Sequence, residues 1–231
     1  MRIVEQKWGD AVLRHELFAG PRSAPCVILF PTVMGVSDLE RGFAARLVEQ
    51  GYAAVVADLY GRRFAAAERE AAFAAMGALQ ADRGALRGLL VAQFEEVLGY
   101  DEIDPARVAA VGFCFGGQCA LDLARAGVQV TGIASFHGLF DPPDLAPQPI
   151  RAKVAAYHGW DDPLVTPEAV VALGRELTKA RCDWQIHAYG NVGHAFTNPG
   201  ATGAMPGIKF DAQAARRAWR SCDDFLRECF E

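Results

Sequence analysis

The chain alternates between short apolar runs and longer segments in which apolar residues recur every three or four positions. Cys26–Phe30 is apolar throughout, which is typical of a strand buried on both faces of a sheet. Val12–Phe18 alternates moderately between apolar and polar residues, which is typical of a half-buried strand. The predicted strands are Val12–Phe18, Cys26–Phe30, Tyr52–Ala57, Val108–Val111, Val130–Phe136, Val154–Tyr157 and Trp184–Tyr189.

Helical segments fill most of the intervals between these strands. Ser37 precedes Glu40 by three residues, the spacing of a capping box, and Thr166-Pro167 has the pattern of an N-cap followed by a first-turn proline. Asp104-Pro105 is predicted to be a turn. The predicted helices are one after Ser37, two within Ala65–Leu98 that are broken near Asp82–Gly84, one up to about Ala126, one from Pro167 to about Lys179, and Phe210–Phe230.

Strands that alternate with helices predict a mostly parallel sheet with helices on both faces. The length of 231 residues suits one α/β domain, and no linker divides residues 1–231. Active sites of such sheets gather at the carboxyl ends of the strands, so the site is expected there.

Composition narrows the possible functions. The net charge is −5 and no basic stripe is visible, so we expect no nucleic-acid partner. No apolar run approaches the roughly 18 residues of a membrane span, and the first residues lack a signal-peptide pattern, so we expect no membrane association and a cytoplasmic location. The six cysteines form no CxxC pair, and we expect free thiols, no metal and no cofactor.

The strongest motif is Gly112-Phe113-Cys114-Phe115-Gly116. It has the spacing of the G-x-S-x-G nucleophile elbow, with cysteine in place of serine. Glycines are required there because the backbone folds back sharply on either side of the nucleophile. The N-terminus of the following helix points at the sulfur and favours a thiolate.

Two later loops supply the partners of a nucleophile. In α/β-hydrolases the order along the chain is nucleophile, acid and histidine, and here Asp162 and His194 follow Cys114 in loops after predicted strands. Asp161 is an alternative acid, although the G-x-x-D pattern favours Asp162. His137 also follows a buried strand, where a histidine is more often a hydrogen-bonded core residue, and the same holds for His158.

An oxyanion hole needs two backbone N–H donors. The candidates are the amide of Phe115, directly after the nucleophile, and that of Val33, in the loop after Cys26–Phe30. Thr32, Trp160 and Asn198 are candidate substrate contacts.

The chain resembles the dienelactone hydrolase family of α/β-hydrolases over nearly its full length. The segments that carry this resemblance are Pro31–Val36, Ala57–Gly61, Gly112–Gly117, Ser135–Gly138, His158–Pro163 and Gly193–Phe196. The resemblance implies that Cys114, Asp162 and His194 form the triad and that Val33 and Phe115 supply the oxyanion donors.

The chain departs from the family at two positions. Well-studied members carry a glutamate, associated with switching on the resting thiol, where this chain has Thr32, and an arginine for the substrate carboxylate where it has Asn198. If another arginine takes the place of the family's substrate-binding arginine, the candidates are Arg62, Arg63 and Arg69.

We therefore predict a cofactor-free hydrolase of carboxylic esters or lactones that uses a Cys-His-Asp triad and a thioester intermediate. The partner is a small-molecule ester or lactone, and the chain is expected to be a monomer or homodimer. The alternatives are a promiscuous esterase that also acts on phosphorus esters, and a non-catalytic redox-sensing α/β protein with a reactive thiol.

Overall fold

A computed structural model describes all residues from Met1 to Glu231. Its strands are β1 (Arg2–Trp8), β2 (Ala11–Phe18), β3 (Ala24–Phe30), β4 (Ala53–Val56), β5 (Ile103–Phe113), β6 (Gly132–Phe136), β7 (Lys153–Gly159), β8 (Trp184–Tyr189), β9 (Thr202–Met205) and β10 (Ile208–Lys209). Its helices are α1 (Asp38–Glu49), α2 (Arg69–Ala81), α3 (Arg83–Leu98), α4 (Phe115–Arg125), α5 (Pro167–Ala180) and α6 (Ala212–Phe230). None of the helices combines the length and apolarity needed to cross a membrane.

Eight strands form one sheet in the order β1-β2-β4-β3-β5-β6-β7-β8. The pairs β1–β2 and β2–β4 are antiparallel, and every pair from β4 to β8 is parallel. The predicted fold class, α/β with a mostly parallel sheet and helices on both faces, is therefore confirmed. The carboxyl ends of β3, β5, β6, β7 and β8 lie side by side along one edge.

The two faces of the sheet bury separate cores. Side chains of β3 alternate between them, with Ile28 and Phe30 in one core and Val27 and Leu29 in the other. The first core is covered mainly by α3, α4 and α5, and the second by α1 and α6. This alternation explains why the central strands are apolar at nearly every position.

Local signals placed several helix ends correctly. Ser37 and Glu40 form the reciprocal capping box at the start of α1. Pro167 opens α5 after Thr166, and Asp82 separates α2 from α3 by capping the latter.

The predicted turn at Asp104-Pro105 is wrong as placed, because both residues lie inside β5. The ladder between β3 and β5 shifts register here, from Ala24 opposite Ile103 to Cys26 opposite Val108. The Asp104 carboxylate accepts a hydrogen bond from the amide of Ala106. This local bond, which is typical of a turn, here accompanies a bulge within a continuing strand.

The elbow requires two glycines for steric reasons. A Cβ at Gly112 would lie 1.9 Å from the carbonyl oxygen of Gly116, and one at Gly116 would lie 2.1 Å from that of Phe30. Both neighbours are main chain and cannot move without displacing β3, β5 or α4. Gly42 on the exposed side of α1 has nothing within 4 Å and offers a comparison.

We predict that Gly116→Ala destabilises the protein by at least about 3 kcal/mol, because the added methyl overlaps backbone in the packed centre. Gly42→Ala is expected to stabilise it by about 0.5–1 kcal/mol through helix propensity. Urea unfolding followed by circular dichroism measures both. Similar stability of the two variants would contradict the steric argument.

Candidate active site

Cys114 lies at the bend between β5 and α4. Its backbone has φ 56° and ψ −119°, a conformation that residues other than glycine rarely adopt. Its amide donates a hydrogen bond to the carbonyl of Phe136. The residue is the N-cap of α4, so its sulfur lies at the positive end of the helix dipole. Unlike the fully buried Cys26 and Cys119, it is partly exposed.

His194 and Asp162 are joined by a hydrogen bond. Nδ1 of His194 lies 2.8 Å from Oδ2 of Asp162, and both side chains are buried. The other oxygen of Asp162 accepts from the amide of Leu164, which fixes the carboxylate. Asp161 is exposed, so of the two candidate acids only Asp162 contacts the histidine.

The electrostatics of this pair favour a charged ring. Burial disfavours the imidazolium, but the Asp162 carboxylate and the Cys114 sulfur outweigh that penalty and raise the pKa of His194 above its ordinary value. Nε2 of His194 is buried without a hydrogen bond of good geometry. Asp162 therefore orients the ring through Nδ1, while Nε2 is available for proton transfer.

A hairpin that the sequence patterns did not reveal holds the histidine loop. His194 donates its amide to the carbonyl of Gly207 at 2.7 Å, and its own carbonyl accepts from Lys209 at 3.1 Å. Gly207 has φ 73°, and a Cβ there would lie 2.8 Å from Pro163, the neighbour of Asp162. This glycine thus lies between the loops that carry the acid and the histidine.

The loop after β3 presents a free amide. Thr32–Gly35 forms a turn closed by a hydrogen bond from the Gly35 amide to the Thr32 carbonyl. The amide of Val33 donates to no protein acceptor. Phe115 is the first residue of α4, so the helix provides no acceptor for its amide either. Both predicted oxyanion donors are therefore available.

Glu40 anchors this loop, a role that the sequence pattern alone does not indicate. Its fully buried carboxylate accepts from the amide of Thr32 at 3.1 Å and from the amide and hydroxyl of Ser37. The capping-box spacing pointed to the contact with Ser37, but only the structure reveals the contact with Thr32.

One cavity of about 210 Å³ brings most of these groups together. Its lining includes Cys114 and His194, and of the other predicted residues Thr32, Val33 and Asn198. Trp160 lies outside this lining and is 41% exposed, so the structure does not bring it to the cavity. Apolar side chains of the wall are those of Val33, Met34, Phe73, Leu164, Met205 and Ile208.

Arg69 is the only one of the three candidate arginines in this lining. Arg62 is paired with Glu68, and Arg63 lies beside Glu16 and Asp58. Arg69 forms no salt bridge, and its guanidinium contacts the sulfur of Met205 at 3.7 Å. The side chain of Asn198 accepts from the amide of Gly200, so it supports the loop.

Comparisons with known proteins identify the family of the chain. The model of the dienelactone hydrolase family matches residues 15–230. The chain belongs to this family. A carboxymethylenebutenolidase of Pseudomonas putida is 28% identical over 214 residues, which cover 88% of this chain and 85% of that relative.

Two solved structures are also similar to this chain. The structure called m3DLH is 35% identical with a TM-score of 0.90, and the match covers 100% of this chain and 98% of that one. The dienelactone hydrolase-like promiscuous phosphotriesterase P91, from metagenomic libraries, is 34% identical with a TM-score of 0.89 and the same coverage.

We predict that Asp162→Asn lowers the pKa of His194, because the carboxylate that favours the imidazolium is lost. The ring will then deprotonate at lower pH than in the unmodified protein. Ester turnover is expected to fall by about 100- to 10,000-fold, because the ring is also no longer held in the correct tautomer.

NMR titration of the His194 ring and steady-state kinetics measure these effects. Asp161→Asn is the matched control, and it should leave both the titration and turnover close to those of the parent. An equal loss in the two variants would refute the assignment of Asp162.

Proposed function

We propose that the protein hydrolyses carboxylic esters or lactones through a Cys114–His194–Asp162 triad and a thioester intermediate. The observation that carries this proposal is the 2.8 Å contact between His194 and Asp162 in a site that also holds a strained Cys114 at a helix N-terminus. The chemistry uses only groups of the chain itself. Membership of the dienelactone hydrolase family and the similarity to carboxymethylenebutenolidases support it.

The first half-reaction forms the thioester. The Cys114 thiolate attacks the substrate carbonyl carbon, and the developing oxyanion accepts hydrogen bonds from the amides of Val33 and Phe115. The intermediate then collapses, the bond to the leaving oxygen breaks, and the His194 imidazolium gives that oxygen its proton. Asp162 stabilises the charged ring until the proton has moved.

The thiolate also limits the range of substrates. A thiolate is a better leaving group than an alkoxide, so the tetrahedral intermediate reverts to substrate unless the leaving oxygen is also good. Aryl esters and enol lactones meet this condition, whereas amides and simple alkyl esters do not.

We expect p-nitrophenyl esters to be hydrolysed at least about 100-fold faster than alkyl esters with the same acyl group, because of this partitioning. Cys114→Ala should abolish turnover of both, since the nucleophile is lost. Steady-state kinetics provide the measurement. Equal rates for the two leaving groups would show that expulsion of the leaving oxygen is not rate-limiting. An active Cys114→Ala would exclude Cys114 as the nucleophile.

The cavity also favours an acidic substrate. Arg69 provides a cation without a carboxylate partner at a wall that is otherwise largely apolar. A substrate with an apolar body and an anionic group would satisfy both features, since a hydrogen bond to a charged group contributes about 1.5–3 kcal/mol.

We predict that Arg69→Gln raises KM for an aryl ester bearing a carboxylate by about 10-fold, because the charged contact is lost. KM for the neutral aryl ester should change less than about 2-fold. Arg62→Gln is the control, since that arginine is already paired with Glu68. Parallel changes for the charged and neutral esters would argue against an anion site at Arg69.

Phosphorus esters are a second candidate substrate class. The similarity to the promiscuous phosphotriesterase P91 favours it. Attack of the thiolate on phosphorus would expel an aryloxide and leave a phosphorylated cysteine, which water must then hydrolyse. Turnover of a p-nitrophenyl phosphotriester that disappears in Cys114→Ala would support this activity, whereas a single stoichiometric burst would indicate that phosphorylated enzyme accumulates.

The redox-sensor alternative receives little support. Its resolving thiol would be Cys119, which is fully buried in α4, where burial raises the pKa of the thiol well above its usual range. A thiol of that kind reacts slowly with an oxidised partner.

A further inference from the structure

His137 has a strained backbone at the catalytic edge of the sheet. It follows β6 with φ 37°, and its amide donates to the carbonyl of Tyr157 at 2.8 Å. A positive φ is strained in a residue other than glycine and is common where a side chain has a functional role. The side chain is 1% exposed and lines the same cavity as Cys114 and His194.

One nitrogen of this ring makes no hydrogen bond of good geometry in the protein. Nε2 lies 2.8 Å from the hydroxyl of Thr197, while Nδ1 is buried and unpaired. The hydroxyl of Thr197 has no other acceptor within reach, so its hydrogen is satisfied only if Thr197 donates to Nε2. Nδ1 then carries the hydrogen, and His137 contributes an unused N–H donor.

The ring is a neutral donor rather than a cation. Burial, reinforced by the charge on the neighbouring His194, lowers the pKa of His137 well below its ordinary value. His137 therefore does not compete with His194 for the proton of the nucleophile.

The two imidazoles lie next to each other. Their ring centroids are 5.1 Å apart in an edge-to-face arrangement, and no direct hydrogen bond joins them. Each ring has one nitrogen without a well-formed hydrogen bond. A small molecule between an N–H donor and an acceptor nitrogen would satisfy both, and the second half of the proposed reaction requires a water near His194.

We propose that His137 is a positioning residue that holds the water which hydrolyses the thioester on Cys114. This inference rests on the proposed function. The Nδ1–H group donates to one lone pair of the water, His194 Nε2 accepts one of its protons, and the second lone pair points at the thioester carbon.

The step is balanced within the site. The water oxygen forms a bond to the carbonyl carbon while its proton moves to His194. The tetrahedral intermediate then breaks the C–S bond, and the electron pair returns to sulfur. The products are the carboxylic acid and the thiolate–imidazolium pair with which the cycle began.

A pair of amide substitutions isolates the donor. An asparagine amide reaches roughly the position of Nδ1, whereas a glutamine amide reaches that of Nε2. His137→Asn therefore retains the donor to the water, and His137→Gln retains the contact with Thr197 but loses that donor. His137→Phe keeps a ring and has no polar atom.

Stopped-flow kinetics with p-nitrophenyl acetate separate the two half-reactions. In His137→Gln and His137→Phe we expect the burst of p-nitrophenolate to keep its rate within about 3-fold, while steady-state turnover falls about 10- to 100-fold. Intact-mass analysis should find acetylated Cys114 accumulating. His137→Asn should deacylate within about 5-fold of the parent rate, and hydroxylamine, which attacks thioesters without this positioning, should restore turnover of the slow variants.

Several results would overturn the proposal. These are equal losses of burst rate and turnover, unchanged turnover in the glutamine and phenylalanine variants, and an asparagine variant as slow as the glutamine variant. His187→Gln, on β8 outside the cavity lining, is the control and should leave both phases unchanged.

Thr197→Val provides a second test if the His137 variants do not fold. It keeps the ring but removes the hydroxyl that fixes its tautomer, so deacylation should slow several-fold while the burst remains. Unchanged deacylation would contradict the proposal. Failure of the triad itself is distinguishable, because Cys114→Ala would then remain active and no acyl-enzyme would form in the parent protein.

Discussion

The site depends on the approach of three backbone segments at the elbow. The carbonyl of Phe30 at the end of β3 contacts Gly116, and the carbonyl of Gly116 contacts Gly112, at distances that leave no room for a methyl group. This packing turns the chain through a tight bend between β5 and α4 and holds Cys114 at positive φ. It also brings the β3 loop, with the free amide of Val33, to the cavity that Cys114 lines. One steric constraint therefore positions both Cys114 and the amides of Val33 and Phe115.

Asp162 and His194 are held differently, by hydrogen bonds to the main chain of loops and of the β9–β10 hairpin. Asp162 is fixed by the amide of Leu164, and His194 is fixed through its main chain by Gly207 and Lys209. The hairpin of β9 and β10 thus acts as a short extra pair of strands for the histidine loop. The buried carboxylate of Glu40 performs a similar role for the loop of Thr32.

Much of this could be predicted from the sequence because the signals are local. Continuous apolar runs identified the central strands, and Ser37 and Thr166 marked helix starts. The spacing of Gly112, Cys114 and Gly116 located the elbow, since any larger residue would collide there. Asp162 and His194 followed from chain order, and the structure brings them within hydrogen-bond distance.

The rest depends on contacts between distant parts of the chain. The strand β1 is an exposed edge whose side chains are not buried strongly enough to produce clear alternation. The residues of β9 are exposed as well, and their pairing with β10 is short and irregular. The exclusion of Trp160 from the cavity and the assignment of Arg69 to it are decided by loop paths and by the partners of neighbouring arginines. The unpaired nitrogen of His137 becomes visible only when Thr197, sixty residues away, is seen beside it.

The β9–β10 hairpin has a consequence for how this scaffold diversifies. The residues of β9, including Met205, are exposed and form part of the cavity wall, whereas Gly207 at the turn holds His194 and packs against Pro163. Substitutions at the exposed residues of β9 would therefore change the shape of the cavity while His194 keeps its position. Gly207 cannot be replaced in the same way, because a Cβ there would collide with Pro163. Tolerated substitutions in this hairpin should therefore be concentrated in β9, which lines the cavity.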